Sequence, residues 1–96
     1  MRLISLTEGK PGKKLKAVVE ANGKIRTIHF GNEGSQDFIT SKDPKKKAAY
    51  LARHAVREDW TASGVQTSGF WARWILWNKP TIAASLKDVL KRFNLA

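Results

Sequence analysis

The dipeptide Asn22-Gly23 constrains the fold more than any other feature of this 96-residue sequence. Both central positions of a two-residue type I′ turn need a positive φ, and Asn-Gly is a pair that accepts it readily. The dipeptide therefore predicts a β-hairpin whose register is fixed by the turn. One face of this hairpin is then apolar, comprising Leu15, Ala17, Val19, Ile28 and Phe30. The other face is mixed, as expected of a sheet that packs on one side only.

Two segments beside the hairpin are candidates for further strands. RLISLT, residues 2–7, alternates so that Leu3 and Leu6 would point to opposite sides of an opening strand. QDFIT, residues 36–40, is a candidate for one more short strand. The sequence therefore predicts a small antiparallel sheet of three to four strands.

The second half of the chain has helical rather than alternating patterns. Asp43 suits an N-cap and Pro44 the first helical position, which predicts a helix over about residues 44–58. Its inner side would comprise Ala48, Leu51, Ala52 and Ala55. A short helix over residues 70–77 follows, with Ser68 as a candidate cap.

TIAASLKDVLKRFN, residues 81–94, predicts an amphipathic C-terminal helix. Its apolar face would comprise Ile82, Leu86, Val89, Leu90 and Phe93. Strands first and helices second indicate an α+β fold, here a single domain over residues 1–96 with about three helices packed on one sheet face.

The segment GFWARWILWNKPT, residues 69–81, contains three of the four tryptophans. On a helix its aromatic residues cover more than half of the circumference, which is typical of a buried helix. We therefore expect Trp74 and Trp77 in the core. Trp71 is the expected exception, available to a partner or a base. Arg73 is expected to pair with a carboxylate or to stack on an indole.

Positive charge dominates the composition, with 18 Lys and Arg against 8 Asp and Glu and a formal net charge of +10. Such a balance indicates a polyanionic partner, although a solvated basic surface would look the same. Lysines cluster in KPGKKLK and KDPKKK, and the aromatic Tyr50 lies among arginines, a pattern that suits phosphate contacts and base stacking. The candidate nucleic-acid-binding residues are Lys13, Lys14, Lys16, Arg26, Lys45, Lys46, Lys47, Tyr50, Arg53 and Arg57. Without a recognisable DNA- or RNA-binding motif, binding is expected to be sequence-tolerant, with DNA favoured over RNA.

Catalysis has few candidate residues, because the chain has two histidines and no cysteine. An enzyme would have to bring together His29, Asp37, His54 and Glu58 within hydrogen-bond reach. Their spacing matches no metal-ligand pattern, so the sequence predicts no catalytic residue, no metal and no cofactor.

A longer series of residues resembles a known family. The residues that carry the resemblance are His29, Phe30, Gly31, Asp37, Phe38, Asp43, Pro44, Tyr50, Arg53, His54, Glu58, Trp60, Arg73, Trp74 and Trp77. They resemble a family of small basic proteins of unknown function, encoded by large DNA viruses of algae and amoebae and by tailed phages. The family often has a histidine shortly after its Asp-Phe pair, where this sequence has Ser41 or Lys42.

The resemblance implies a viral or phage setting, with the protein in the virion or in the host cytoplasm or nucleus. The leading hypothesis is a nucleic-acid-binding protein, which the virion would carry with the genome. The alternative is a structural or interaction module whose basic surface meets an acidic virion or host protein. No signal peptide and no membrane span are expected, and the oligomeric state stays open.

Overall fold

The computed structural model describes residues 1–95, which form a three-stranded antiparallel sheet followed by four α-helices. The sheet has the order β1-β2-β3 and comprises β1 (Arg2–Glu8), β2 (Lys13–Ala21) and β3 (Lys24–Asn32). The helices are α1 (Phe38–Ser41), α2 (Pro44–His54), α3 (Ser68–Trp71) and α4 (Ile82–Arg92). A 3₁₀ turn lies at Ala62–Gly64, and a π-helical segment, Ala72–Leu76, continues α3. The predicted α+β class is confirmed.

The hairpin predicted from Asn22-Gly23 is confirmed in turn and register. Asn22 has φ 54° and Gly23 has φ 75°, as the turn requires. Glu20 faces Ile25 and the pairing continues without a shift to the start of β2. The predicted apolar face is the face that meets the core, with Ala17, Val19, Ile28 and Phe30 buried and Leu15 packed against them.

Strand β1 contains an irregularity that the alternation did not predict. Leu3 pairs with Val19 and Leu6 with Ala17, while the register shifts between Leu3 and Ser5. Because the bulge inserts one extra residue, Leu3 and Leu6 lie on the same face and both pack against the core. Their predicted placement on opposite faces was wrong.

The candidate fourth strand is instead the short helix α1. Asp37 caps it, because its carboxylate accepts a hydrogen bond from the Thr40 backbone N–H at 2.8 Å. The Thr40 hydroxyl in turn accepts from the Asp37 backbone N–H, which completes a capping box. Two satisfied end groups favour a helical turn over the extended conformation that Phe38 and Ile39 suggested.

Helix α2 begins as predicted but presents a different side to the core. Asp43 caps it and Pro44 is its first residue, yet it ends at His54 and not near residue 58. The three alanines of the predicted inner side, Ala48, Ala52 and Ala55, are exposed. The prediction is confirmed for Leu51, which packs against the core. The inward side also contains Lys47, Tyr50 and His54, because stacking the Tyr50 ring removes more apolar area from water than three methyl groups would.

The tryptophan segment lies at the centre of the core, between the sheet and α4. Trp74 and Trp77 are each 8% exposed, so their predicted burial is confirmed. Trp71 is 0% exposed and its indole N–H donates to the Val65 carbonyl at 2.7 Å, so its predicted availability was wrong. Thr67, not Ser68, caps α3.

Helix α4 covers this aromatic core as predicted, except at its start. Thr81 caps it, Val89 is 0% exposed, and Leu86, Leu90 and Phe93 pack against the core. Ile82 is exposed, since it occupies the first turn beyond the core's edge. Among residues 1–95, no helix combines the length and apolarity needed to cross a membrane.

Candidate functional site

A cavity of about 620 Å³ opens between the start of β2, the loop after β3 and helix α2. Its cationic lining residues are Lys13, Lys14, Lys46 and Arg53, and its acidic ones are Asp37 and Glu58. A second cavity of about 560 Å³ shares Lys14, Ser35, Gln36 and Lys46 with the first. The two cavities therefore adjoin, and we call their combined concave surface the basic groove.

One of the four cations is committed to the fold. The Lys14 ammonium lies 2.6 Å from the Asp37 carboxylate and also donates to the Ser35 carbonyl. Asp37 is 2% exposed, so this pair ties β2 to the cap of α1. Lys14 is therefore neutralised by its own chain.

Two other lysines of the groove are held by neutral amides. The Lys13 ammonium donates to the Asn32 side-chain oxygen at 2.7 Å, and the Lys46 ammonium donates to the Gln36 side-chain oxygen at 2.7 Å. An amide oxygen fixes an ammonium group without cancelling its charge. Arg53 is exposed, and the ion pairs among residues 1–95 include neither it nor these two lysines. The groove therefore presents three positioned or free positive charges.

Tyr50 borders the groove within a stack of three rings. Its ring centroid lies 4.1 Å from that of His54 and 4.4 Å from that of Trp77, with interplanar angles of 21° and 7°. Two rings this close and this parallel would overlap on one face, so they occupy opposite faces of Tyr50. Burial, and next the charge of Glu58, raise the pKa of the Tyr50 hydroxyl to about 12. The expectation that Tyr50 is exposed for base stacking was wrong.

The histidine and carboxylate candidates for catalysis are engaged separately. His54 Nδ1 lies 3.1 Å from Glu58, whose other carboxylate oxygen accepts from the Trp60 indole N–H at 3.0 Å. His29 accepts from the Lys10 backbone N–H and is not among the cavity's lining residues. Across residues 1–95, no three His, Cys, Asp or Glu side chains cluster closely enough to hold a metal.

The remaining basic candidates do not extend the groove as one surface. Lys16 lies at mid-strand opposite His29, and Arg26 is exposed near the hairpin turn. Lys47 points inward, donating to the Asn78 carbonyl at 2.7 Å with its ammonium 5.0 Å from the Phe38 ring. Its pKa is lowered by burial first, then by the charges of Arg73 and Lys79. Lys45, in the first turn of α2, and Arg57, three residues beyond its end, are exposed.

Arg73 lies in the aromatic core and not in the groove. Its guanidinium carbon is 4.2 Å from the Trp74 ring and 5.5 Å from the Trp60 ring, and Nη1 donates to the Trp77 carbonyl at 2.7 Å. Arg92 lies 4.5 Å from the Trp74 ring and bonds Asp88. Burial, with Arg92 as the next cause, lowers the pKa of Arg73. The predicted stacking on an indole is confirmed.

The sequence patterns did not predict the roles of Asn32 and Gln36, whose side-chain oxygens position Lys13 and Lys46. The hairpin register counted from Asn22-Gly23 places Asn32 opposite Lys13, so that contact was available from the sequence. Gln36 had no such signal, because its contact with Lys46 joins a loop to a separate helix.

Residues 7–54 match a family of unknown function, DUF5754. The chain belongs to this family. The matched residues run from β1 to the end of α2, so the family region contains Lys13, Lys46 and Arg53 but not the tryptophan segment. No curated protein and no solved structure matches the chain.

Proposed function

We propose that this chain binds nucleic acid at the basic groove, through backbone phosphates and without sequence preference. The observation that supports the proposal most directly is the convergence of Lys13, Lys46 and Arg53 around one concave surface. Of the acidic side chains that line the two cavities, Asp37 is paired with Lys14, Glu58 bonds the His54 and Trp60 rings, and Asp43 caps α2. None of the three cations forms an ion pair within residues 1–95, and phosphate oxygens are suitable ligands for such groups.

The charge of the whole chain supports the same partner. Of the 18 Lys and Arg, only Arg2, Lys14 and Arg92 form ion pairs within residues 1–95. Apart from inward-lying charges such as Lys47 and Arg73, the excess of positive charge therefore stays unpaired and attracts a polyanion over about one Debye length, ~10 Å at 0.1 M salt. Affinity should fall steeply as salt rises, because binding releases condensed counterions.

The proposed role is binding and not catalysis. His54 and Glu58, the nearest acid–base pair, hold each other and the Trp60 indole rather than facing a second acid–base group. DNA remains the expected nucleic acid, and the viral or phage origin stays a prediction. The alternative partner, an acidic protein, keeps the support of the basic surface but loses that of the Trp71 indole, which is buried.

The test compares two triple variants with the same net charge. The groove variant carries Lys13→Gln, Lys46→Gln and Arg53→Gln, whereas the control carries Lys24→Gln, Lys87→Gln and Lys91→Gln at exposed positions outside the groove lining. Affinity for a labelled random-sequence duplex is measured by fluorescence anisotropy over a salt series. The groove variant should lower the slope of log K against log salt by up to about 2.7, at about 0.9 per lost phosphate contact.

The control variant should change this slope by less than about one contact, or ~0.9. Equal losses in both triples would show that diffuse charge, and not the groove, binds the duplex. Absence of wild-type binding at low salt would overturn the proposal. Protein partners that remain bound after nuclease treatment would favour the acidic-protein alternative.

A further inference from the structure

We infer that the ligand of the basic groove is double-stranded nucleic acid, contacted along its phosphates with no base stacked on this chain. The inference rests on the proposed function and names its substrate class. It follows from where the structure places the aromatic rings, since single-strand binding without sequence preference combines positive charge with aromatic stacking platforms.

None of the nine aromatic side chains is exposed, and all nine lie within residues 1–95. Six are buried, namely Phe30, Tyr50, Phe70, Trp71, Trp74 and Trp77. The three half-buried rings are each in contact with the protein. The Lys47 ammonium lies 5.0 Å from Phe38, the Arg73 guanidinium lies 5.5 Å from Trp60, and Phe93 packs 5.0 Å from Phe70.

Two rings of the groove lining, Tyr50 and Trp77, would be the best placed for a base beside the free cations. Both faces of Tyr50 are covered, one by His54 and the other by Trp77. Trp77 is itself 8% exposed, with Tyr50 against its ring. A base could stack on Tyr50 only by displacing a ring of the existing stack. The groove therefore has cations that can bind phosphates but no free ring on which a base can stack.

Charge density then decides which nucleic acid binds better. Stacking on an aromatic ring contributes about 1–3 kcal/mol per base to single-strand binding, and the groove has no free ring to supply it. A duplex carries one charge per ~1.7 Å of axis, and each phosphate contact changes the salt slope by about 0.9, against about 0.7 for a single strand. For three contacts, one each from Lys13, Lys46 and Arg53, the slopes differ by about 0.6, which amounts to about fourfold in affinity at ~0.1 M salt relative to ~1 M.

The shape of the groove agrees with a polymeric ligand. The cavities of about 620 and 560 Å³ adjoin through the wall that Lys14, Ser35, Gln36 and Lys46 form. The larger cavity alone has more volume than one phosphate group fills. The groove therefore has room for more than one phosphate of a backbone.

The experiment compares three ligands with the same number of phosphates: a duplex, a single strand of twice its length, and an abasic single strand of that length that lacks the bases. Wild-type affinity for each is measured by competition against a labelled duplex at about 0.1 M salt. We expect the duplex to bind about fourfold more tightly than the strand, and the strand and its abasic counterpart to bind equally. Tryptophan fluorescence should stay unquenched when the single strand binds.

Tighter binding of the strand than of the duplex would overturn the inference, and so would a clear loss of affinity for the abasic strand. Either result would leave the proposed nucleic-acid function intact. Failure of all three ligands to bind at low salt would instead overturn the proposed function itself, and the inference with it.

Discussion

Two arginines show how the aromatic core and the basic groove use the same charged group differently. Arg73 lies over the Trp74 and Trp60 rings and donates to the Trp77 carbonyl. Arg53 is exposed at the groove and forms no ion pair within residues 1–95. The core thus surrounds a cation with π faces and a carbonyl, which stabilises the fold, whereas the groove leaves a cation free for a ligand. Whether an arginine stabilises the fold or is available to a ligand therefore depends on its position relative to the aromatic rings, and not on its residue type.

The largest expected effect tests whether the aromatic core is the main source of stability. Trp71→Ala should lower the free energy of unfolding by about 3–5 kcal/mol, because it removes the largest fully buried side chain and leaves a cavity. The indole hydrogen bond to the Val65 carbonyl is also lost. Chemical denaturation measures the change, and circular dichroism shows whether the variant still folds.

Trp71→Phe is the matched control, since it keeps an aromatic ring in contact with Phe70 and Phe30. It should cost clearly less than the alanine variant. A loss of less than about 1 kcal/mol in the free energy of unfolding of Trp71→Ala would contradict the structure, because losses that small are typical of substitutions at the surface.

A second prediction concerns Tyr50, at the boundary between the core and the groove. Its pKa, raised to about 12, lies above the ordinary value of 10.0. The folded state therefore holds the phenol proton more tightly than the unfolded state does. The resulting stabilisation is complete below pH ~10 and is lost as the pH rises through ~12, amounting to about 2–3 kcal/mol.

Because Tyr50 is the only tyrosine, ultraviolet absorbance follows its ionisation directly. Tyr50→Phe keeps the ring stack but cannot ionise, so the difference between wild type and variant isolates this group from the titrating lysines. A midpoint near the ordinary value, or an identical loss of stability in both proteins above pH ~10, would show that the phenol is solvated and the stack open.

The parts of the fold that the sequence predicted are those with a local cause. Asn22-Gly23 fixed the hairpin register by turn geometry alone, and Asp43 with Pro44 fixed the start of α2. The bulge in β1 and the burial of Trp71 were missed because they depend on neighbours. At Trp71, regular helical spacing was also a poor guide. The chain continues into a π-helical segment, where Trp77 N–H bonds the Ala72 carbonyl five residues back.

The candidate site divides in the same way. Composition gave the excess charge, and clustering gave Lys13 and Lys46 as candidates. Clustering did not distinguish these two lysines from Lys14 and Lys47. Lys14 is paired with Asp37, and Lys47 contacts the Phe38 ring and a backbone carbonyl. Those engagements are long-range contacts between β2, α1, α2 and the segment before α4. No pattern in a single stretch of sequence contains them.

The smallest expected effect separates the two arginines directly. Arg73→Met and Arg53→Met each remove one positive charge, so each variant is the charge-matched control of the other. Arg73→Met should cost about 1–2 kcal/mol of stability, since it removes a charged hydrogen bond and two cation–π contacts and relieves part of a burial cost. Its salt slope for duplex binding should stay at the wild-type value.

Arg53→Met should change the free energy of unfolding by less than about 0.5 kcal/mol and lower the salt slope by about 0.9. Equal effects of the two variants on either measurement would remove the distinction between core and groove charge.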